Sequence, residues 1–373
     1  MRVLFVTGIF PPDHGGPASY VPAIAKELRK RSHEIVAIVT LSDRLDGEDC
    51  GYGFPIVRLR RSLQRPLRAI QTVWAIIQRA RRADVVYLNG LVLEGIIATR
   101  LLGRARTVVK VVGDLIWEKA RNSGATKLDL DAFQFAPLPM RWRFMRWLQR
   151  WYTARADSII VPSEYLKSIV RGWGVDPEKI RVIRNAVPLP PPPPATAAAP
   201  RYDLITVTRL VPWKGVAELI EVAGAGGWSL RIVGDGPLMP ELTKRAAELN
   251  ANVSFAGHVA AERVCDEIRD ARLFVLNSSY EGLPHIVLEA KAAGVPVIAT
   301  AAGGTPEIMN HDVDGWTIPV GDRAALTDAI RHLLSHESER ERLKTMGRRQ
   351  VEMKYSFHAL ADATELALLG LAR

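Results

Sequence analysis

The sequence of 373 residues has only two cysteines, Cys50 and Cys265, one in each half. Two distant cysteines provide no disulfide framework and favour a reducing compartment. No apolar run approaches the roughly 18 residues of a transmembrane helix. The first apolar run, Val3–Phe10, is short and ends at two prolines, which predicts a strand rather than a signal peptide. We therefore expect a cytoplasmic protein.

Signatures of two enzyme classes are also missing. The turn after the first apolar run lacks the Gly-x-Gly-x-x-Gly fingerprint of dinucleotide binding, which argues against a nicotinamide enzyme. The sequence has no Cys/His cluster for zinc. One Asp-x-Asp motif, Asp129-Leu-Asp131, follows no apolar strand, so we expect it to bind no metal.

Acidic residues are scarce in the first half. Residues 1–186 carry 31 Lys and Arg against 17 Asp and Glu, a net charge of +14, whereas the remainder is at −4 and the whole chain at +10. A basic first half fits an anionic partner, which can be a nucleic acid, an anionic membrane or a phosphorylated substrate.

The chain does contain a regular alternation of strand-like and helix-like segments. In the first half, near-continuous runs of Val, Ile and Leu predict strands at Arg2–Gly8, Glu34–Thr40, Ile56–Leu59, Asp84–Leu88, Thr107–Val112, Ser158–Val161 and Ile180–Ile183. Amphipathic helices, such as Ala18–Arg31 and Arg65–Arg82, lie between several of them. This alternation predicts an α/β fold with a parallel, doubly wound sheet.

A proline-rich segment, residues 188–200, divides the chain. It cannot pair in a sheet and is typical of a stiff spacer. Beyond it the alternation restarts, with strands predicted at Asp203–Thr208, Ser229–Val233, Asn252–Phe255, Leu273–Leu276 and Val295–Thr300. The last helices are predicted at Arg323–Ser335, Glu337–Lys354 and His358–Leu369. We therefore predict two domains, residues 1–187 and 201–354, and a terminal segment, 355–373.

Polar and glycine-rich loops follow the predicted strands. Because ligands of doubly wound sheets bind at the carboxyl ends of the strands, two such domains place these loops in one cleft. In the first half, Gly15 and Gly16 precede a helix start and leave backbone N–H groups free for an anion or a hydroxyl. In the second half, Arg209 and Lys214 provide two fixed cations suited to a diphosphate.

Two further turns of the second half suit close approach to a ligand. The turn containing Gly234 and Gly236 follows one predicted strand, and Gly257-His258-Val259 follows the next. Without bulky side chains, the first turn lets a ligand approach the backbone, and the backbone groups of His258 and Val259 can read a base.

The stretch Tyr280–Gly294 combines a turn, a helix start and two glutamates. Glu281 lies in the turn, and Glu289 lies about one helical turn inside a helix predicted to begin near His285. The free N–H groups of a helix start suit a phosphate, and the flanking carboxylates accept from sugar hydroxyls. The predicted contact residues around this start are Gly282, Leu283, Pro284, His285 and Ile286.

In order along the chain, the segments GGPASY, TRLVPWKG, VGDGP, FAGHV, EGLPHIVLEA and AGGTPEI resemble the retaining glycosyltransferases of family four. Members have the GT-B fold, in which two Rossmann-like domains face a central cleft. The resemblance spans nearly the whole chain. It implies that Arg209 and Lys214 hold the diphosphate of a nucleotide-sugar donor and that Glu281 contacts the transferred sugar. It further implies that Glu289 binds the ribose.

The resemblance also implies that Gly15 and Gly16 line the junction of donor and acceptor, and that the terminal helix crosses back onto the first domain. No cofactor is expected, because the cations neutralise the diphosphate without a metal. One departure is Gly113, where many members have a His before Asp114. Asp114 and Glu118 are therefore candidates for orienting the acceptor or the sugar, with a purely structural Asp114 as the alternative.

The segment Arg141–Tyr152 interleaves cations with aromatic residues. At helical spacing, Trp147 and Trp151 share a face, with three arginines at neighbouring positions, Arg143, Arg146 and Arg150. This pattern predicts an interfacial helix on the inner face of an anionic membrane, and hence a lipid-linked glycan as acceptor. A core helix whose tryptophans pack on the sheet is the alternative.

We therefore interpret the protein as an enzyme that transfers a sugar from a nucleotide diphosphate sugar, with no nucleic-acid partner. A GT-B nucleotide-sugar epimerase and a non-enzymatic basic module that binds membranes or nucleic acid are the alternatives.

Overall fold

The computed structural model describes residues 1–13, 15–43, 48–102, 105–192 and 199–372. Within them the chain forms two parallel β-sheets, each covered by helices on both faces. The predicted α/β fold with two doubly wound sheets is confirmed. Residues 193–198 of the predicted spacer lie outside the described residues.

The first sheet comes from the first half of the chain. Its strands are β1 (Arg2–Thr7), β2 (Glu34–Leu41), β3 (Ile56–Leu59), β4 (Val85–Asn89), β5 (Arg106–Lys110), β6 (Ser158–Val161) and β7 (Ile180–Val182). They are parallel and lie in the order β3-β2-β1-β4-β5-β6-β7. In the centre, Val6 lies opposite Val39 and Leu88, and all three side chains are buried. Burial on both faces explains the near-continuous apolar runs.

Seven helices accompany this sheet: α1 (Gly16–Lys30), α2 (Arg65–Ala80), α3 (Val92–Leu102), α4 (Leu115–Asn122), α5 (Leu130–Phe135), α6 (Met140–Thr153) and α7 (Glu164–Arg171). Helix α1 packs on one face of the sheet, whereas α2, α3, α4, α6 and α7 belong to the hydrophobic core on the other face.

The second sheet contains β8 (Tyr202–Val207), β9 (Leu230–Val233), β10 (Val253–Gly257), β11 (Ala271–Leu276), β12 (Val297–Thr300) and β13 (Trp316–Ile318), with the order β10-β9-β8-β11-β12-β13. Its helices are α8 (Val216–Gly226), α9 (Met239–Glu248), α10 (Ala261–Arg269), α11 (His285–Ala293), α12 (Arg323–Ser335) and α13 (Glu337–Lys354). The sequence predicted every strand here except β13, which has only three residues.

The last helix, α14 (Phe357–Ala372), packs on the first domain. Leu360 and Leu368 join the same hydrophobic cluster as Ile24 of α1. At its surface, Arg31, the residue that follows α1, donates to Asp362 at 2.6 Å and to Glu365 at 2.7 Å. The chain therefore returns from the second domain to the first. None of the described helices is long and apolar enough to cross a membrane.

Candidate active site

The candidate site lies where the strand order of the second sheet reverses, which is where doubly wound folds bind ligands. The reversal falls between β8 and β11. Arg209 and Lys214 follow β8, and Glu281 follows β11, so the topology alone brings these distant residues together. They line a cavity of about 230 Å³ whose other lining residues are Val112, Glu118, Val211, Trp213, Tyr280, Gly282 and Leu283.

The two cations of this cavity differ in their surroundings. The ammonium of Lys214 donates to Oε1 of Glu281 at 2.6 Å, and both side chains are mostly buried. Among the described residues, Arg209 has neither an ion pair nor a side-chain hydrogen bond. Its guanidinium is therefore available for an anion.

The glycine turn after β9 supports the loop that carries Arg209. The backbone N–H of Leu210 donates to the carbonyl of Asp235 at 2.9 Å. An added Cβ on Gly234 would collide with the carbonyl of Thr208, and one on Gly236 with that of Leu210. These glycines therefore position the Arg209 loop through backbone packing, and neither lines the cavity.

The loop that carries Glu281 is held from both domains. From the second domain, the N–H of Gly304 donates to the carbonyl of Glu281 at 2.9 Å. From the first domain, the hydroxyl of Ser163 donates to the carbonyl of Gly282 at 2.6 Å. An added Cβ on Gly282 would lie 2.6 Å from the carbonyl oxygen of Val112, so this close approach of the domains requires glycine.

Aromatic side chains close the cavity across the cleft. The ring of Trp117, on α4, lies 4.6 Å from that of Tyr280 and 5.2 Å from that of Trp213. The sequence analysis assigned no role to Trp213 or Tyr280, although Trp213 lies inside the motif TRLVPWKG and Tyr280 begins the stretch Tyr280–Gly294. An aromatic residue next to a charged residue in a strand-end loop, Trp213 beside Lys214 and Tyr280 beside Glu281, was the signal that could have identified them.

Asp114 does not face the cavity. It is fully buried at the start of α4, where its carboxylate accepts from the backbone N–H groups of Ile116 and Trp117, both at 3.0 Å. It also accepts from the amides of Gln134 at 2.9 Å and Gln149 at 3.1 Å. The prediction that Asp114 orients a substrate is therefore at odds with its position, and the structural alternative fits. Glu118, one turn later, lines the cavity instead.

Several predicted donor-binding residues lie outside the cavity itself: Gly15, Gly16, His258, Val259, Pro284, His285, Ile286 and Glu289. Gly15 and Gly16 form the start of α1, and Pro284–Ile286 form the start of α11. Ile286 and Val259 pack against the hydrophobic core of the second domain. The contacts of these residues with a donor stay a prediction.

His285, the first residue of α11, contacts both Glu289 and the carbonyl of Ala186. One of its ring nitrogens lies 3.0 Å from Oε1 of Glu289, and the other lies 2.7 Å from the carbonyl oxygen of Ala186, beside the domain boundary. Glu289 is thus fixed one helical turn from the start of α11, and a third of its side chain stays exposed.

The Asp-x-Asp motif has local structural partners. Asp129 accepts from the N–H of Ala132 at 2.7 Å at the start of α5, and Asp131 accepts from the hydroxyl of Tyr165 at 2.9 Å. Across the described ranges, no group of three or more His, Cys, Asp and Glu side chains could hold a metal ion.

The predicted basic helix, Arg141–Tyr152, corresponds to α6, but two of its arginines turn inward. Arg146 donates to the carbonyls of Phe133 and Ala136, and Arg150 donates to Gln134, so both bind the end of α5. Arg143 is exposed, as are Phe144 and Trp147. The expectation that all three arginines face a membrane is therefore wrong for Arg146 and Arg150.

Comparison with known proteins identifies the family. A family model described as "Glycosyl transferase 4-like domain" matches residues 15–186, and one described as "Glycosyl transferases group 1" matches residues 195–350. Anabaena HepE, solved in complex with UDP and glucose, has a TM-score of 0.79 at 19% identity over 99% of each chain. The chain therefore belongs to the family-four glycosyltransferases and has the GT-B fold, as the motifs predicted.

Two curated relatives illustrate the range of the family. The chain is 34% identical over 209 residues to the lipopolysaccharide core biosynthesis glycosyltransferase LpsD of Rhizobium meliloti. This alignment covers 55% of this chain and 60% of LpsD. It is 26% identical over 405 aligned residues, 96% of each chain, to the GDP-mannose-dependent alpha-(1-6)-phosphatidylinositol monomannoside mannosyltransferase of Mycobacterium tuberculosis.

Proposed function

We propose that this protein transfers a sugar from a nucleotide diphosphate sugar to a glycan or lipid-linked acceptor, with retention of the anomeric configuration and without a metal. The observation that carries the proposal is the unpaired Arg209 beside the Lys214–Glu281 pair at the β8/β11 switch point. Two fixed cations in a partly enclosed cavity neutralise a diphosphate, which removes the need for a metal.

Negative charge develops on the leaving diphosphate in the transition state, and the site has to stabilise it. Arg209, Lys214 and the N–H groups at the start of α11 stabilise that charge more than they stabilise the ground state. Glu281 is held by Lys214 at 2.6 Å, which suits it to accept from sugar hydroxyls rather than to attack carbon. The motif positions offer no enzymic nucleophile for a double displacement, and from the resemblance to retaining members of the family we infer that the acceptor attacks from the face that the leaving group departs from. The configuration is then retained.

Named relatives and structures point to more than one donor. One relative is named for GDP-mannose, and one neighbour was solved with UDP and glucose. A thermal-stabilisation screen with GDP-mannose, UDP-glucose, UDP-galactose and ADP-glucose, followed by assays of nucleoside diphosphate release, therefore tests the proposal. We expect one of them to raise the melting temperature of the wild type and of the control Lys244→Ala, but not that of Arg209→Ala. No stabilisation by any donor at millimolar concentration would contradict the proposal.

The acceptor half of the proposal rests on an exposed face of the first domain. Helices α2, α3 and α6 pack side by side on one face of the first sheet. Large apolar side chains of these helices point away from the core, and we call them the docking face: Leu67, Ile70, Trp74, Leu101, Phe144 and Trp147. Ile70 is 67% exposed and Trp74 is 59% exposed, which is unusual for residues of this size.

The positive charge around the docking face indicates an anionic partner. Helices α2 and α6 contain arginines and no acidic residue. Apolar side chains among cations, on helices that lie flat on a domain, are typical of peripheral binding to anionic bilayers. We infer that the docking face rests on an anionic membrane, which gives the active site access to a lipid-linked acceptor.

Co-sedimentation with phosphatidylglycerol vesicles at low salt tests the docking face. We expect the wild type to bind. The affinity of the double variant Ile70→Glu, Trp74→Glu for the vesicles should be at least tenfold lower, because each introduced carboxylate is unfavourable at an anionic bilayer surface. Both positions are exposed, so the fold should tolerate the changes. Met353→Glu, at an exposed apolar residue of α13, is the matched control. Absence of wild-type binding, or equal binding by the double variant, would contradict membrane docking.

A further inference from the structure

Two polar side chains that face each other across the candidate site have no side-chain partner among the described residues. Glu118 comes from the first domain and Tyr280 from the second. Within the described part of the chain, the carboxylate of Glu118 forms no ion pair or hydrogen bond. The hydroxyl of Tyr280, a residue that is only 6% exposed, is buried without a hydrogen-bond partner there. Both residues line the cavity.

The surroundings of Gly113 show that the carboxylate of Glu118 and the hydroxyl of Tyr280 border the same space. A Cβ added to Gly113 would lie 2.8 Å from Oε1 of Glu118 and 3.2 Å from the hydroxyl oxygen of Tyr280. The absence of a side chain at position 113 therefore leaves the space in which the carboxylate and the phenol come together. The ring of Tyr280 is fixed against Trp117, which immediately precedes Glu118, so the packing across the cleft positions both groups.

The buried hydroxyl of Tyr280 costs about 1–3 kcal/mol while it lacks a partner, so it indicates a ligand in the cavity. Burial raises the pKa of Glu118, which Arg209 opposes. Burial also raises the pKa of Tyr280, and the phenol therefore keeps its proton and acts as a donor. The pair thus offers one acceptor and one donor at a single point. A phosphate does not suit this point, because it would meet a carboxylate.

We propose that Glu118 and Tyr280 form a subsite for one sugar hydroxyl, which donates to the carboxylate of Glu118 and accepts from the hydroxyl of Tyr280. The subsite rests on the proposed function and adds to it a contact from the first domain. The hydroxyl belongs either to the transferred sugar or to a glycan acceptor, since both approach the diphosphate cations Arg209 and Lys214.

The test uses Glu118→Gln and Tyr280→Phe, with Glu262→Gln at an exposed, unpaired position as the control. It takes the nucleotide sugar found in the donor screen and its nucleoside diphosphate. We expect Glu118→Gln to lower kcat/KM by about 10- to 100-fold, because a hydrogen bond to a charged group is weakened, and Tyr280→Phe to lower it by about 2- to 10-fold, because its hydrogen bond joins two neutral groups. Calorimetric affinity for the nucleoside diphosphate should stay within about twofold of the wild-type value, which distinguishes a sugar contact from a merely structural role.

Donor hydrolysis without acceptor separates the two sources of the hydroxyl. If hydrolysis falls together with transfer, the hydroxyl belongs to the transferred sugar; if transfer alone falls, it belongs to the acceptor. Unchanged rates in both assays for both variants, or an equal loss of nucleoside diphosphate affinity, would overturn the subsite while leaving the proposed function intact. A wild type that binds no nucleotide sugar would instead contradict the proposed function.

Discussion

The ammonium nitrogen of Lys214 lies 2.6 Å from Oε1 of Glu281, although 67 positions separate the two residues along the chain. Each residue follows a different strand, β8 or β11, at the point where the order of the second sheet reverses. The ion pair therefore joins the cation predicted for the diphosphate to the carboxylate predicted for the sugar. A change at either residue leaves the other charge without its partner.

Removing either cation should slow turnover sharply. We expect Arg209→Ala and Lys214→Ala each to lower kcat/KM by about two to three orders of magnitude, because each donor to developing charge contributes about 3–4 kcal/mol in a water-poor site. Steady-state kinetics measures the effect, and melting curves check the fold. Lys244→Ala, at an exposed position of α9, should keep wild-type rates. Near wild-type turnover of both cavity variants would refute the assignment to the diphosphate.

Substitutions of Glu281 and Glu289 should have different effects on turnover and on nucleotide affinity. Glu281→Gln should lower kcat more than nucleotide affinity, because it is placed at the sugar. Glu289→Ala should chiefly weaken nucleotide binding, since it is placed at the ribose. Calorimetry with the nucleoside diphosphate and kinetics with the nucleotide sugar distinguish the effects. An unchanged nucleoside diphosphate affinity of Glu289→Ala would show that this residue does not hold the ribose.

Activity should persist in EDTA. The carboxylates of Asp129 and Asp131 already accept hydrogen bonds within the first domain, and the two cavity cations supply the positive charge. Nucleoside diphosphate release after extensive chelation measures this directly. Complete loss of activity that Mg²⁺ or Mn²⁺ restores would show that a metal takes part after all.

Lys291 should be a major determinant of the stability of the second domain. Its side chain is 1% exposed and donates to Asp314 at 2.7 Å, to Gln350 at 2.8 Å and to a backbone carbonyl. Lys291→Ala leaves the buried carboxylate of Asp314 without its cation and with hydrogen bonds only from Asn310, so the free energy of unfolding should fall by about 3–5 kcal/mol. Lys344→Ala, which removes an exposed pair with Glu341, should change it by less than about 1 kcal/mol. Denaturant titrations that give equal losses would contradict this role.

Attachment of α14 should weaken in acid. Hydrogen bonds from Arg31 and then His33 hold the pKa of Glu365 below its ordinary value of 4.5. A lowered pKa in the folded state means that this carboxylate stabilises the fold above pH about 4.5 and that the contribution is lost as the pH falls through the folded pKa. Stability measured against pH should therefore fall more steeply below pH about 4.5 for the wild type than for Glu365→Gln. Parallel curves would show that Glu365 does not hold α14.

Periodicity predicted the elements well where they are long or fully buried. The predicted bounds of α12 and α13 coincide with those observed. In α12 a regular apolar stripe, Leu326, Ile330 and Leu333, accounts for the agreement. The three residues of β13 are too few to show a period. Strand–helix alternation predicted that Arg209, Lys214 and Glu281 follow strands whose ends share one cleft, and the family resemblance implied their roles. The reversal of strand order between β8 and β11 is seen only in the structure.

Contacts between distant segments could not be predicted in this way. A polar residue after a strand looks the same whether it faces a cleft or the core, and only the fold shows that Asp114 is bound by Gln134 and Gln149, 20 and 35 positions away. In the same way, nothing local to α6 indicates that Arg146 turns toward the end of α5. The place where Glu118 meets Tyr280 depends on the packing of two domains, which no spacing in the sequence encodes.

The most direct test of the central claim is an NMR measurement of the product formed from the nucleotide sugar selected in the donor screen. We expect release of the nucleoside diphosphate and, in the first product observed, an anomeric proton with the same configuration as in the donor. A product of inverted configuration would contradict retention, and no release of nucleoside diphosphate from any donor would contradict glycosyl transfer itself.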